Sequence, residues 1–289
     1  MSGEATSMTI PLTCEEQSNN NSRQEEAALL RKKIRCGEHN GLTTGLAPGI
    51  VQLNLAILPK AWADDFERFC EFNPKSCPLI SKTEPGDPVF PSNIGEGLDV
   101  RTDAPRYLVF HDGELTSEIT DLTDLWQDDF VAFGMGCSYS FEEALIEGGL
   151  SLRHIEQGTK VPLYISNIET KAAGPFRGPT ILSMRPFLPE DAIRAIEITA
   201  KYPRVHGSPV HFGSPEMLGI DDISRPYSGS PPIIHQNEVP VFWACGITPQ
   251  VVVTNAKPDI CITHFAAHML ITDLPSKGSA EVLPKLAEA

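Results

Sequence analysis

Twice, roughly a hundred residues apart, the chain drives an apolar strand straight into a helix through a cysteine. "DDFVAFGMGCSYSFEEAL" (128–145) sets Cys137 after Gly136, and "VPVFWACGITPQVVV" (239–253) sets Cys245 before Gly246. A strand that turns directly into a helix must be covered by helices, so the chain is constrained to a layered mixture of strands and helices. The turn residue is left beside a helix N-terminus. Free N–H groups and the helix dipole there attract anions and lower a thiol's pKa. The bland alternative is a cysteine packed as a small hydrophobe. Two such turns make the strand ends the expected place for chemistry.

The rest of the chain supplies the layers. Residues 1–21 are polar and read as a disordered tail, followed by an S-x-x-E capping box, Ser22 to Glu25, and a helix. "IVQLNLAIL" alternates, with Val51, Leu53, Leu55 and Ile57 on one face, as in a strand. Trp62, Phe66, Phe69 and Cys70 recur at helical spacing. Residues 81–97 are turn-rich, and their length suggests a functional loop. Asp112-Gly113 suits a tight hairpin turn. Ser140 and Glu143 look like a second capping box, and Thr248-Pro249 like a helix entry. The expected fold is α/β with an α+β part, in two domains of mixed sheets flanked by helices. Residues 22–130 and 225–275 would form an outer domain, 131–224 a central domain inserted into it, and 276–289 a C-terminal tail.

Charge narrows the partners. A net charge of −15 argues against a general nucleic-acid binder and against docking on an anionic membrane. No apolar run reaches membrane-spanning length, and the N-terminus resembles neither a secretory signal nor a transit peptide. Seven cysteines without C-x-x-C spacing read as reduced thiols of a cytoplasmic protein rather than a disulfide framework or a zinc site.

Several side chains are candidates for the chemistry. His206, His211 and His264 sit in Gly-Pro loops or at strand ends, where histidine serves as general acid or base. His264 and His268 would be the natural ligands of a divalent metal such as Mn or Mg, although their spacing fits no strong metal motif and no cofactor is firmly implied. Arg185 ends an apolar strand and needs a carboxylate, from the protein or from a substrate; Arg101 and Arg153 are weaker candidates. Glu142 could be a base beside Cys137, with Glu143 as the cap partner. Ser138, Cys245, Gly246, Thr248 and Asn167 could position a substrate.

Ten blocks also carry a resemblance, among them "GLAPGIVQLNLAILPK", "VRTDAPRY", "RHIEQG", "GPTILSMRP", "VHGSPVHFG" and "ITHFAAHMLITD", together with the two cysteine turns. In this order, from about residue 30 to 274, they resemble the D-glutamate cyclase family of hydro-lyases. The resemblance implies a two-domain α/β and α+β fold and loss of water from a small amino or hydroxy carboxylate. The best-defined activity of that family is cyclisation of D-glutamate to 5-oxo-D-proline. Under this reading Arg185 and the turn N–H groups would clamp the carboxylate. The histidines would serve as acid and base, and Cys137 as nucleophile or acid. The alternative is a non-catalytic binder of small carboxylates. A homo-oligomer is compatible with either.

Overall fold

The computed structural model describes residues 14–276, with side chains from residue 19 onward; expectations for 1–13 and 277–289 lie outside the described residues. Helix α1 (Cys14–Arg35) begins well before Ser22, so the described part of the expected tail is helical and Ser22 is not its cap. Ala27 and Ile34, seven apart and so on one face, pack on Ile50 and Ile271. Three arginines tie the helix down: Arg23 to Glu143 (2.9 Å), Arg31 to Asp273 (2.7 Å) and Arg35 to Asp103 (2.6 Å). Glu143 is therefore an ion-pair partner and not the expected cap.

After α1 come β1 (Ile50–Pro59), α2 (Lys60–Phe72), β2 (Leu79–Lys82), β3 (Tyr107–His111), β4 (Glu114–Ile119) and β5 (Phe130–Gly136). Next are α3 (Tyr139–Glu147), α4 (Arg153–Glu156), β6 (Leu163–Glu169), β7 (Pro179–Phe187), α5 (Pro189–Thr199) and β8 (His211–Phe212). The described chain ends with β9 (Val239–Ala244), α6 (Thr248–Ala256), β10 (Cys261–His264) and β11 (Leu270–Pro275). The fold is the expected mixture of helices and strands, in two sheets. Seven strands form the larger one, in the order β2-β5-β1-β10-β3-β4 with β11 also on β1; the smaller is β6-β7-β9-β8. Every pairing between these strands is antiparallel. The β3–β4 hairpin turns at Asp112 and Gly113, both at positive φ (50° and 82°), as such a tight turn requires.

Strand β1 sits at the centre because both of its faces are apolar. Val51, Leu53, Leu55 and Ile57 enter a core that also holds Tyr107, Phe141 and Trp243. Ala56 and Leu58, on the opposite face, enter a second core with Phe66, Phe69, Phe133 and Phe176. Burying each such aromatic contributes about 1.5–3 kcal/mol. Gln52 and Asn54 share that second face but are polar, which leaves one end of it without an apolar lining.

Two strands fall on the other side of the expected boundaries. β5 pairs with β1 and β2 in the larger sheet, and β9 pairs with β7 and β8 in the smaller one. The reason is alternation: Val241 and Trp243 of β9 join the main core while Phe242 packs with Tyr164 and Leu182. The long segment at 81–97 buries Phe90 and Ile94 in that core and lines no part of the pocket described next.

Candidate active site

The two cysteine turns meet. The N-termini of α3 and α6 open on one pocket of about 540 Å³, measured with its mouth. Its walls include Cys137, Ser138, Tyr139, Cys245, Ile247, Asn54, Lys160 and His264. At each turn the N–H two residues on, of Tyr139 or Ile247, points to the cysteine sulfur. The N–H groups of Ser138 and Gly246 between them make no hydrogen bond among the described residues. Ser138 and Tyr139 on one side and Cys245 and Ile247 on the other bring both helix starts to the same space, with the unpaired Ser138 N–H on its wall.

The thiols themselves differ from expectation. Burial outweighs the helix ends and pushes Cys137 up to about 12 and Cys245 up to about 11. Both are neutral near pH 7, which does not suit Cys137 as a nucleophile. Thr248 is also spent inside the protein: its hydroxyl donates to the Cys245 carbonyl (2.7 Å) and accepts from the Ile181 N–H (3.1 Å).

His264 owes its place to a gap in the sheet. One edge of β1 is shared: β10 pairs at Ala56–Ile57 and β11 at Ile50–Leu53. Between them the Leu55 N–H has no strand partner and donates to His264 Nδ1 (3.1 Å). That bond assigns the ring proton of the neutral imidazole to Nε2. Nε2 has no hydrogen-bond partner among the described residues, and burial pushes the ring down to about 4. His264 therefore lines the pocket as a neutral imidazole whose Nε2–H is buried and unpaired among the described residues. It is not positioned as the base that the sequence reading allowed.

Asn54 spans the two turns. Its Nδ2 donates to the Gly136 carbonyl (3.0 Å), and a Cβ on Gly246 would lie 2.0 Å from that nitrogen. Gly246 is thus fixed by the approach of Asn54. Gly246→Ala is expected to displace the amide and lower stability by about 1–3 kcal/mol. Denaturant unfolding checks this, and a loss under 0.5 kcal/mol would contradict the packing described.

Arg185 finds its carboxylate within the protein. Its Nε donates to Glu142 Oε1 (2.9 Å), its Nη2 contacts the same oxygen and also reaches Ser138 Oγ (3.5 Å), and its Nη1 donates to Ser183 Oγ (3.1 Å). The guanidinium lies over Phe141 and Trp243, fully buried. His154 Nε2 reaches Glu142 from another side at 3.1 Å. Burial alone would raise the Glu142 carboxyl; Arg185 and His154 outweigh it and hold it below the usual range. Glu142 is a buried counter-ion and lines no part of the pocket, so it is not placed to be a base there. Arg101 and Arg153 are likewise paired, with Asp99 and Glu238.

The other candidates lie elsewhere. His206 donates from Nδ1 to the Lys75 carbonyl (2.8 Å) in a left-handed backbone (φ 82°), outside the pocket wall. His211 bonds the Ser214 carbonyl (2.9 Å) on the smaller sheet, and Asn167 bonds the Met217 carbonyl (3.2 Å). His268 Nδ1 is taken up by the Ala266 carbonyl (2.9 Å). Among the described residues no three His, Cys, Asp or Glu side chains come together as a metal site, so His264 and His268 lack a third ligand.

Two wall residues escaped the sequence reading. Asn54 is an amide inside an apolar alternation, and its only signal is that a buried amide must find partners. Lys160 is the only Lys or Arg of the pocket wall, and its ammonium makes no ion pair among the described residues. Nothing in its local sequence distinguishes it from a surface lysine.

Known proteins share this sequence. The family described as D-glutamate cyclase matches residues 131–273, a span that holds both cysteine turns and His264. "Putative hydro-lyase Bpet2233" of Bordetella petrii is 57% identical over 84% of this chain and 92% of its own length. A "Putative hydro-lyase" of Verminephrobacter eiseniae is 54% identical over 84% of this chain and 89% of its own. One of Aliivibrio salmonicida is 53% identical over 84% and 93%. With more than half of its aligned residues shared along nearly the full length of these relatives, the chain belongs to the D-glutamate cyclase family and is a hydro-lyase.

Proposed function

We propose that the substrate is a small amino dicarboxylate that closes on its own amine with loss of water, D-glutamate going to 5-oxo-D-proline as the leading case. The observation that carries this reading is the polarity of the pocket. Its wall includes Ser138, whose N–H is unpaired, the neutral His264 ring and the single cation Lys160, and includes no Asp or Glu among the described residues. β-Elimination from carbon needs a strong base to take a C–H proton. Cyclisation does not. The amine nitrogen bonds to the side-chain carboxyl carbon, a C–O bond breaks, and both protons shed by the ammonium leave with that oxygen as water.

The protein must then hold two carboxylates and stabilise the oxyanion of the tetrahedral intermediate, which is work for donors. Lys160 and the helix ends bind carboxylate, and His264 Nε2–H faces the developing oxyanion. Lys160→Ala is expected to raise KM about tenfold, the scale of one charged hydrogen bond, with kcat changed only a few-fold. An unchanged KM in steady-state assays would remove Lys160 from the clamp. Cys137→Ser is expected to keep kcat within about tenfold, because a thiol with its pKa near 12 is not the attacking group. A loss of several orders of magnitude would restore the nucleophile reading.

A further inference from the structure

We propose that the Asn54 amide oxygen reads the substrate's amino group and makes the site selective for amino dicarboxylates over dicarboxylates that lack the amine. This rests on the pocket being the site of water loss. The orientation of the amide is set by its neighbours. Gly136 offers only a carbonyl, so Nδ2 must face it, and the 3.0 Å bond leaves Oδ1 as the other end. Gly246 lies against Nδ2 and stops the side chain from backing away. Oδ1 makes no hydrogen bond among the described residues and is not among the buried, unpartnered atoms, so it is open on the pocket side.

Of the other wall groups described above, the Ser138 N–H, the His264 ring and Lys160 are donors, and the Ser138 and Tyr139 hydroxyls can donate as well as accept. One fixed acceptor among them matches a ligand with one donor group beside its carboxylates. An amine satisfies Oδ1; a bare methylene leaves it unpaired, which a desolvated acceptor does not tolerate well. The same contact holds the nitrogen in place beside the carboxyl carbon it attacks.

The test is calorimetric binding of two probes, D-glutamate and glutarate, to the full-length protein and three variants. Wild type is expected to bind D-glutamate about ten- to a hundredfold tighter than glutarate, the scale of one hydrogen bond to a charged group. Asn54→Leu should bring the two probes to near-equal affinity by weakening D-glutamate alone. Asn54→Asp, which keeps an acceptor and adds charge, should widen the preference by repelling glutarate. Lys160→Ala should weaken both probes equally.

A preference that survives Asn54→Leu, or an equal loss of both probes in that variant, overturns the assignment to Asn54 while the Lys160→Ala result keeps the site. If Asn54→Leu does not fold, a preference that narrows in Asn54→Asp overturns it. Failure of wild type to bind either probe, or indifference of both to Lys160→Ala, overturns the site and the assignment with it.

Discussion

Replacing Arg185 with methionine is expected to lower stability by about 3–5 kcal/mol, because it leaves the Glu142 carboxylate buried without its main counter-charge. Methionine can keep much of the packing on Phe141 and Trp243, so the loss is chiefly electrostatic. Arg185→Met with Glu142→Leu, which removes both charges, should recover most of it.

The pH dependence gives the sign. In the wild type the Glu142 pKa lies below its unfolded value. Its contribution is present above the unfolded pKa, about 4.3, and is lost as pH falls through the lower folded value. Without Arg185 burial dominates, the carboxyl is raised, and the variant loses stability as pH rises through about 4.3. The gap between wild type and Arg185→Met should therefore narrow from pH 7 to pH 4 in urea unfolding. A loss below 1 kcal/mol, or a gap that widens in acid, would contradict the buried pair.

The second large effect concerns His264. His264→Asn is expected to reduce kcat by about 10²–10³-fold with little change in folding. Asparagine can still accept the Leu55 N–H but has nothing at the position of Nε2. Because the ring is held neutral, with its pKa down at about 4, the wild-type rate should show no limb from this residue between pH 5 and 8. A limb near pH 6.5 that vanishes in His264→Asn would make the ring a titrating base and refute the donor role.

The cysteine turns were legible because apolar strand, small turn residue and helix signals fall within one short window. That they face one pocket was not, because the pairing of β5 with β1 and of β9 with β7 joins segments far apart in sequence. Arg185 announced a need for a carboxylate. The partner, Glu142, lies 43 residues away, and nothing local marks it as the answer. His264 was noticed as a strand-end histidine. Its tautomer depends on the Leu55 N–H left open between β10 and β11, a consequence of sheet register. His206 and His211 looked equivalent to it in sequence, yet neither lines the pocket: His206 turns Nδ1 to the Lys75 carbonyl and buries its other ring nitrogen elsewhere, and His211 Nε2 bonds the Ser214 carbonyl. Asn54 was masked by its strand, whose alternation directs attention to the apolar face.

Proton NMR of the purified full-length protein with D-glutamate tests the central claim most directly. The expected result is loss of the D-glutamate signals and stoichiometric growth of 5-oxo-D-proline, absent or strongly slowed in His264→Asn. Unchanged D-glutamate, with water lost instead from a hydroxy acid that has no amine, would contradict the cyclisation reading.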